Sequence, residues 1–167
     1  GQTERWLAGG FDPSARLALN ESFCVSLKGD VNRVALKAAL RDVLGRHEAF
    51  RIRFDLEEPR QHLMPPFEVP VAEIDLRQAG EPDAALDAFC SQASGQDFPL
   101  DQAPLARVSL LDLADGRTVV HVVASHLVFD GWASSVFNAE LSTAYRARSA
   151  GLAPVFKPAE SPLDFAQ

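Results

Sequence analysis

Apolar and polar residues alternate from Ser22, placing Phe23, Val25 and Leu27 on one face and predicting a strand over residues 19–28. Gly29-Asp30 reads as a turn, with Asp30 placed to cap a helix over about 31–46. That helix is apolar at Val34, Leu36, Leu40, Val43 and Leu44. Phe50, Ile52 and Phe54 alternate with Arg51 and Arg53, which predicts a second strand with its arginines on the opposite face. Prolines break residues 55–70 into loop, with a short extended piece near His62–Met64. Val71–Leu76 reads as a strand, and Ala84–Ser94 as a helix with Pro82-Asp83 near its start. Leu105–Leu113 and Arg117–Val128 read as two strands joined by Ala114-Asp115-Gly116, a hairpin signal. Trp132–Arg148 is the last strong helix, apolar at Val136, Phe137, Leu141 and Ala144, and a Gly/Pro-marked connecting segment follows.

The order of these elements, with a hairpin late in the chain, implies a mixed sheet covered by helices: an α/β chain built as an α+β two-layer sandwich. At 167 residues it fits one domain able to bury a sizeable core. A net charge of −7 argues against a nucleic-acid partner, whose backbone would repel it. No apolar run approaches membrane-spanning length and the N-terminus lacks a signal-peptide layout, so a cytoplasmic protein without a membrane partner is expected. The chain opens on Gly1 and is read as an excised piece. Cys24 and Cys90 lie far apart within apolar patterns and are expected to be reduced thiols. His47, His62, His121 and His126 show no ligand spacing with one another or with the cysteines, and no metal is expected.

The candidate chemistry lies in Ser125-His-Leu-Val-Phe-Asp-Gly-Trp132, an HxxxDG run where the apolar strand gives way to the last helix. A histidine there can serve as a general base or hydrogen-bond donor. Ser125 stands next to His126, but adjacent strand residues point to opposite faces, which excludes a Ser-His nucleophile pair. Asp130 suits the N-cap of the following helix, and Gly131 a tight turn or close backbone approach. Trp132 is expected to pack in the core, and His121 to be a core or supporting residue.

Other segments accompany this run in order. Arg46-His-Glu-Ala-Phe-Arg-Ile-Arg-Phe54 precedes it and Pro162-Leu-Asp-Phe-Ala-Gln167 follows. The opening Gly1-Gln-Thr-Glu-Arg-Trp6 and the stretch Phe98–Arg107 add two further matches. Together they resemble the ordered motifs of nonribosomal peptide synthetase condensation domains: an RHExLR-type segment, an "FDL…PLLRA" segment, an HHxxxDG active-site segment and a later DFA segment. Two positions depart from that pattern. Ser125 replaces the first histidine of the pair, and Ala133 replaces the serine of DGWS.

The resemblance implies a chloramphenicol acetyltransferase-like fold, with residues 1–167 forming the N-terminal lobe and the second lobe absent. It implies amide bond formation between a carrier-bound acyl or peptidyl thioester and a carrier-bound aminoacyl amine, with His126 catalytic and touching the acceptor amine. Asp130, Gly131, Arg51 and Ser125 become structural residues of the active site. Asp130 is implied to pair with Arg51, with Arg46 as the alternative partner. No directly bound cofactor is implied, since phosphopantetheine arms of donor and acceptor carrier proteins bring the substrates. Two other functions fit the same residues: a coenzyme A-dependent acyltransferase of this fold, and a non-catalytic docking or structural lobe.

Overall fold

The computed structural model describes residues 17–55 and 60–157; the segments through Trp6 and from Pro162 lie outside the described residues. The chain runs β1 (Asn20–Leu27), α1 (Arg33–Arg46), a 3-10 turn (Glu48–Arg51), β2 (Ile52–Phe54) and β3 (Gln61–Leu63). Next come β4 (Val71–Leu76), α2 (Pro82–Ser94), β5 (Ala106–Leu113), β6 (Thr118–Ser125) and α3 (Gly131–Ser149). Four strands form one sheet in the order β1-β6-β5-β4, and β2 and β3 pair separately. β6 is antiparallel to both β1 and β5, while β4 and β5 are parallel across the α2 connection, so the sheet is mixed as expected.

Every residue of β6 is buried, which matches its nearly unbroken apolar run and its central place in the sheet. Its two faces serve different layers. Val120, Val122 and Ala124 join Val108 and Leu110 of β5 beneath α1 and α3, whose buried positions recur at helical spacing: Leu36, Leu40 and Val43 in one, Phe137, Leu141 and Ala144 in the other. On the opposite face, Val119 and the β5 residues Leu111 and Leu113 meet Leu86 and Phe89 of α2. The third cluster, at the end of that face, joins Val123 and Leu105 to Ile52, Phe54, Phe98 and Leu100.

Local sequence chemistry explains the element ends, with four corrections to the expectations. The cap of α1 is Asn32, whose Oδ1 accepts from the Ala35 amide at 3.0 Å, rather than Asp30. Val34 then faces solvent at 82% exposure, because the buried stripe runs through Ala35, Leu36, Ala39, Leu40, Val43 and Leu44 and leaves Val34 off that face. Phe50 sits in the 3-10 turn, not in a strand, and its ring is drawn under α1 and α3. Finally, β6 stops at Ser125 instead of running to residue 128. The Val128 and Phe129 amides turn back onto the Ser125 carbonyl at 3.0 and 3.1 Å, which ends the extended backbone. The β5–β6 hairpin closes through Gly116 at φ +82, a left-handed conformation that favours glycine.

Candidate active site

The turn from Ser125 to Asp130 is pinned from both faces of the sheet. Leu127 enters the cluster around Val123 and Ile52, and Phe129 enters the one beneath the helices. Phe129 stacks on Phe23 (centroids 5.7 Å apart, 9° between planes) and meets Phe50 at 6.2 Å. Two buried anchors flanking a short turn leave little freedom for what lies between them. His126 is the residue held there, and 22% of its side chain is exposed.

The backbone of His126 is fixed by its amide, which donates to the Leu19 carbonyl at 2.7 Å and continues the β1–β6 pairing by one residue. Its Nδ1 faces two acceptors, the Phe129 carbonyl at 3.0 Å and Glu21 Oε1 at 2.8 Å. Two acceptors at one nitrogen require a proton there, so the neutral ring is the Nδ1–H tautomer and Nε2 carries the lone pair. Among the described residues Nε2 has no partner. The arrangement therefore offers an oriented base backed by a carboxylate able to stabilise the imidazolium.

Glu21 was not among the expected site residues. Its position follows from strand pairing: Glu21 lies opposite Ala124, so it shares a face with His126 two residues further on. The signal was present, because alternation through Phe23, Val25 and Leu27 places Glu21 at the start of the apolar face.

Asp130 and Arg51 do not form the expected pair. Asp130 Oδ1 accepts from the Ala133 amide at 2.8 Å and caps α3, and the residue is exposed. Arg51 donates to the Met64 carbonyl at 2.7 Å, and its guanidinium lies 3.7 Å from Glu48. The Arg51 carbonyl accepts from the Met64 amide at 2.8 Å, so the last residue of the 3-10 turn is tied by backbone and side chain to Met64, just beyond β3. The alternative partner, Arg46, lies 3.1 Å from Glu140 of α3 and over the Phe156 ring at 4.4 Å. Glu140 also binds His47 Nε2 at 2.6 Å, which ties the end of α1 to α3.

The remaining expectations divide. Ser125 is buried, its amide donates to the Leu105 carbonyl at 2.9 Å, and it lies on the sheet face away from His126. His121 is buried as expected, with Nε2 2.8 Å from Ser22 Oγ and its ring edge-on to Phe89. Gly131 has no left-handed φ, and a Cβ added there would meet nothing within 4 Å, so neither proposed reason for glycine applies. Trp132 is 79% exposed rather than packed in the core. An open groove lined by Lys28, Asp83, Asp115 and Arg117 lies beyond the other end of β6 and holds no residue of this site. No described helix is long and apolar enough to cross a membrane.

A family model described as "Condensation domain" matches residues 2–167. Chondramide synthase cmdD of Chondromyces crocatus is 34% identical over 158 residues, which is 92% of this chain and 4% of that protein. A probable non-canonical nonribosomal peptide synthetase, CymA of Salinispora arenicola, is 36% identical over 141 residues, 83% of this chain and 2% of that one. Among solved structures, the starter condensation domain of rhizomide synthetase RzmA superposes with a TM-score of 0.86 at 25% identity, covering 98% of this chain and 40% of that chain. The X-domain from teicoplanin biosynthesis, solved in complex with OxyB, superposes at 0.82 with 30% identity, covering 99% and 35%. The chain thus spans a few per cent of the length of these synthetases. With the HxxxDG turn held at the end of the central strand and the match running from residue 2 to residue 167, the chain belongs to the condensation-domain family of nonribosomal peptide synthetases.

Proposed function

We propose that this chain is the N-terminal lobe of a condensation domain and that His126 serves amide bond formation between two carrier-bound substrates. The donor is an acyl or peptidyl thioester and the acceptor an aminoacyl amine, each on the phosphopantetheine arm of a carrier protein in the cytoplasm. As the amine attacks the thioester carbonyl, a C–N bond forms and the nitrogen must lose a proton. Nε2 of His126 accepts it, and the Glu21 carboxylate offsets the charge on the ring. The C–S bond then breaks, and the proton passes to the departing thiolate. The second lobe supplies the other wall of the site, a reading supported by the exposed Trp132 at the start of α3 and by the open space above Gly131. Positioning both substrates against His126 requires that wall.

The observation that carries the proposal is the pair of acceptors at His126 Nδ1, which leaves Nε2 free to take a proton. The test is His126→Ala in the parent synthetase, assayed with loaded donor and acceptor carriers. Loss of a general base lowers the rate by about a hundredfold or more, with the melting temperature unchanged. Product within a few-fold of the wild type would overturn the catalytic assignment. It would favour a docking lobe instead, a reading with its own support in Ser125 at the first motif position and in the similarity to an X-domain solved with a bound partner.

A further inference from the structure

We propose that Cys24, Cys90 and His121 form a three-ligand site for a thiophilic metal ion of the Zn2+ type, open to water at a fourth position. The sequence hides this site, because its residues come from three elements and show no ligand spacing. Cys24 of β1 lies directly opposite His121 of β6 in the strand register. α2 crosses that face of the sheet and brings Cys90 above both. The two Sγ atoms are 3.6 Å apart, and one ligand atom from each of the three residues lies within 4.8 Å of the others.

These dimensions suit a tetrahedral ion. Two Zn–S bonds of about 2.3 Å at a tetrahedral angle hold their sulfurs about 3.8 Å apart, close to the separation of the thiols. The longer edges close if the side chains draw in by about 1 Å, which the exposed Cys24 and half-buried Cys90 have room to do. The imidazole is already oriented, since Ser22 Oγ lies 2.8 Å from its Nε2, the kind of outer hydrogen bond that aims a ligating ring.

Without a cation, partial burial of the sulfur pushes the Cys24 thiol up to about 12, helped by its contact with Cys90, and burial also raises Cys90. Such thiols are poor nucleophiles at neutral pH. Burial lowers His121, keeping the neutral form that binds metal. The Asp87 carboxylate that opposes thiolate formation at both cysteines would attract a cation placed between them. A bound ion would cross-link α2 to β1, which carries Glu21, and to β6, which leads into the turn that holds His126.

The experiment titrates Co2+ and then Zn2+ into the reduced, metal-stripped chain. One equivalent of Co2+ is expected to give a thiolate-to-cobalt charge-transfer band and the intense visible bands of a tetrahedral ion. Zn2+ should displace it, release two protons per ion and raise the melting temperature. Cys24→Ser and Cys90→Ser should each weaken binding by about a hundredfold or more, because even outer-shell losses cost about 10–100-fold. His121→Gln is a core change, so the exposed Cys24 carries the decisive variant. Absence of saturable one-equivalent binding, or binding unchanged in Cys24→Ser, overturns the proposal. So does a Cys24–Cys90 disulfide forming under peroxide as fast with Zn2+ present as without it.

Discussion

Glu21 Oε1 lies 2.8 Å from His126 Nδ1, on the neighbouring strand and the same face of the sheet. The contact couples a residue of β1 to the turn after β6, two segments more than a hundred positions apart in the chain. It also defines which ring nitrogen bears the proton, something the HxxxDG motif leaves open. The Phe129 carbonyl at 3.0 Å reinforces the same choice from within the turn.

Glu21→Gln in the parent synthetase is expected to lower kcat about tenfold and leave KM nearly unchanged. The amide oxygen can still accept from Nδ1–H but no longer offsets the charge on the imidazolium. About 1.4 kcal/mol of lost transition-state stabilisation corresponds to a factor of ten. The effect stays modest because Glu21 is partly exposed, where solvent screens its charge. Steady-state kinetics and a thermal melt check this; an unchanged kcat would show that Glu21 does not act through His126.

Asp130→Ala should cost about 0.5–2 kcal/mol through loss of the α3 cap, whereas Asp130→Ser should be nearly neutral. Because Arg51 pairs with Glu48 and the Met64 carbonyl, Arg51→Ala should add independently to Asp130→Ala, within about 0.5 kcal/mol. Denaturant titrations of both single variants and the double variant provide the comparison. A larger coupling would restore the direct Arg51–Asp130 pair.

Phe129→Ala should destabilise the protein by about 3–5 kcal/mol, the range for removing a buried aromatic side chain. The ring stacks on Phe23 and touches Phe50, so its loss opens a cavity at the base of the turn. Activity measured well below the melting temperature should also fall, because one of the two acceptors at His126 Nδ1 is the carbonyl of this residue. Wild-type turnover in a fully folded Phe129→Ala protein would show that the anchor is dispensable for catalysis.

Burial holds the His121 imidazole below its ordinary range, and the sign of the consequence follows. Above about pH 6.5 the ring is neutral in both folded and unfolded chains and contributes no pH dependence. As pH falls below that value the unfolded chain takes up the proton first, and stability is lost until the folded ring also titrates. Melting temperatures of the metal-stripped chain from pH 8 to pH 5 should therefore fall more steeply for the wild type than for His121→Gln. Parallel curves would contradict the assignment.

The sequence alone determined the alternation and helical spacing behind most of the main elements, the α/β class and the place of His126 at a strand-to-helix junction. These are local properties: side chains repeat with a period of two or 3.6 wherever one face must be buried. The short polar contacts were less legible. Asn32 rather than Asp30 caps α1, and Trp132 is exposed although it was expected in the core, because a cap or an outward face depends on where the neighbouring layer begins. Tertiary structure alone decided the pairings. Strand register set Glu21 beside His126 and Cys24 opposite His121, while Arg51 found its partners in Met64 and Glu48 rather than in Asp130. Such partners lie far apart along the chain, and a shift of one residue in register would reverse the face of every side chain involved.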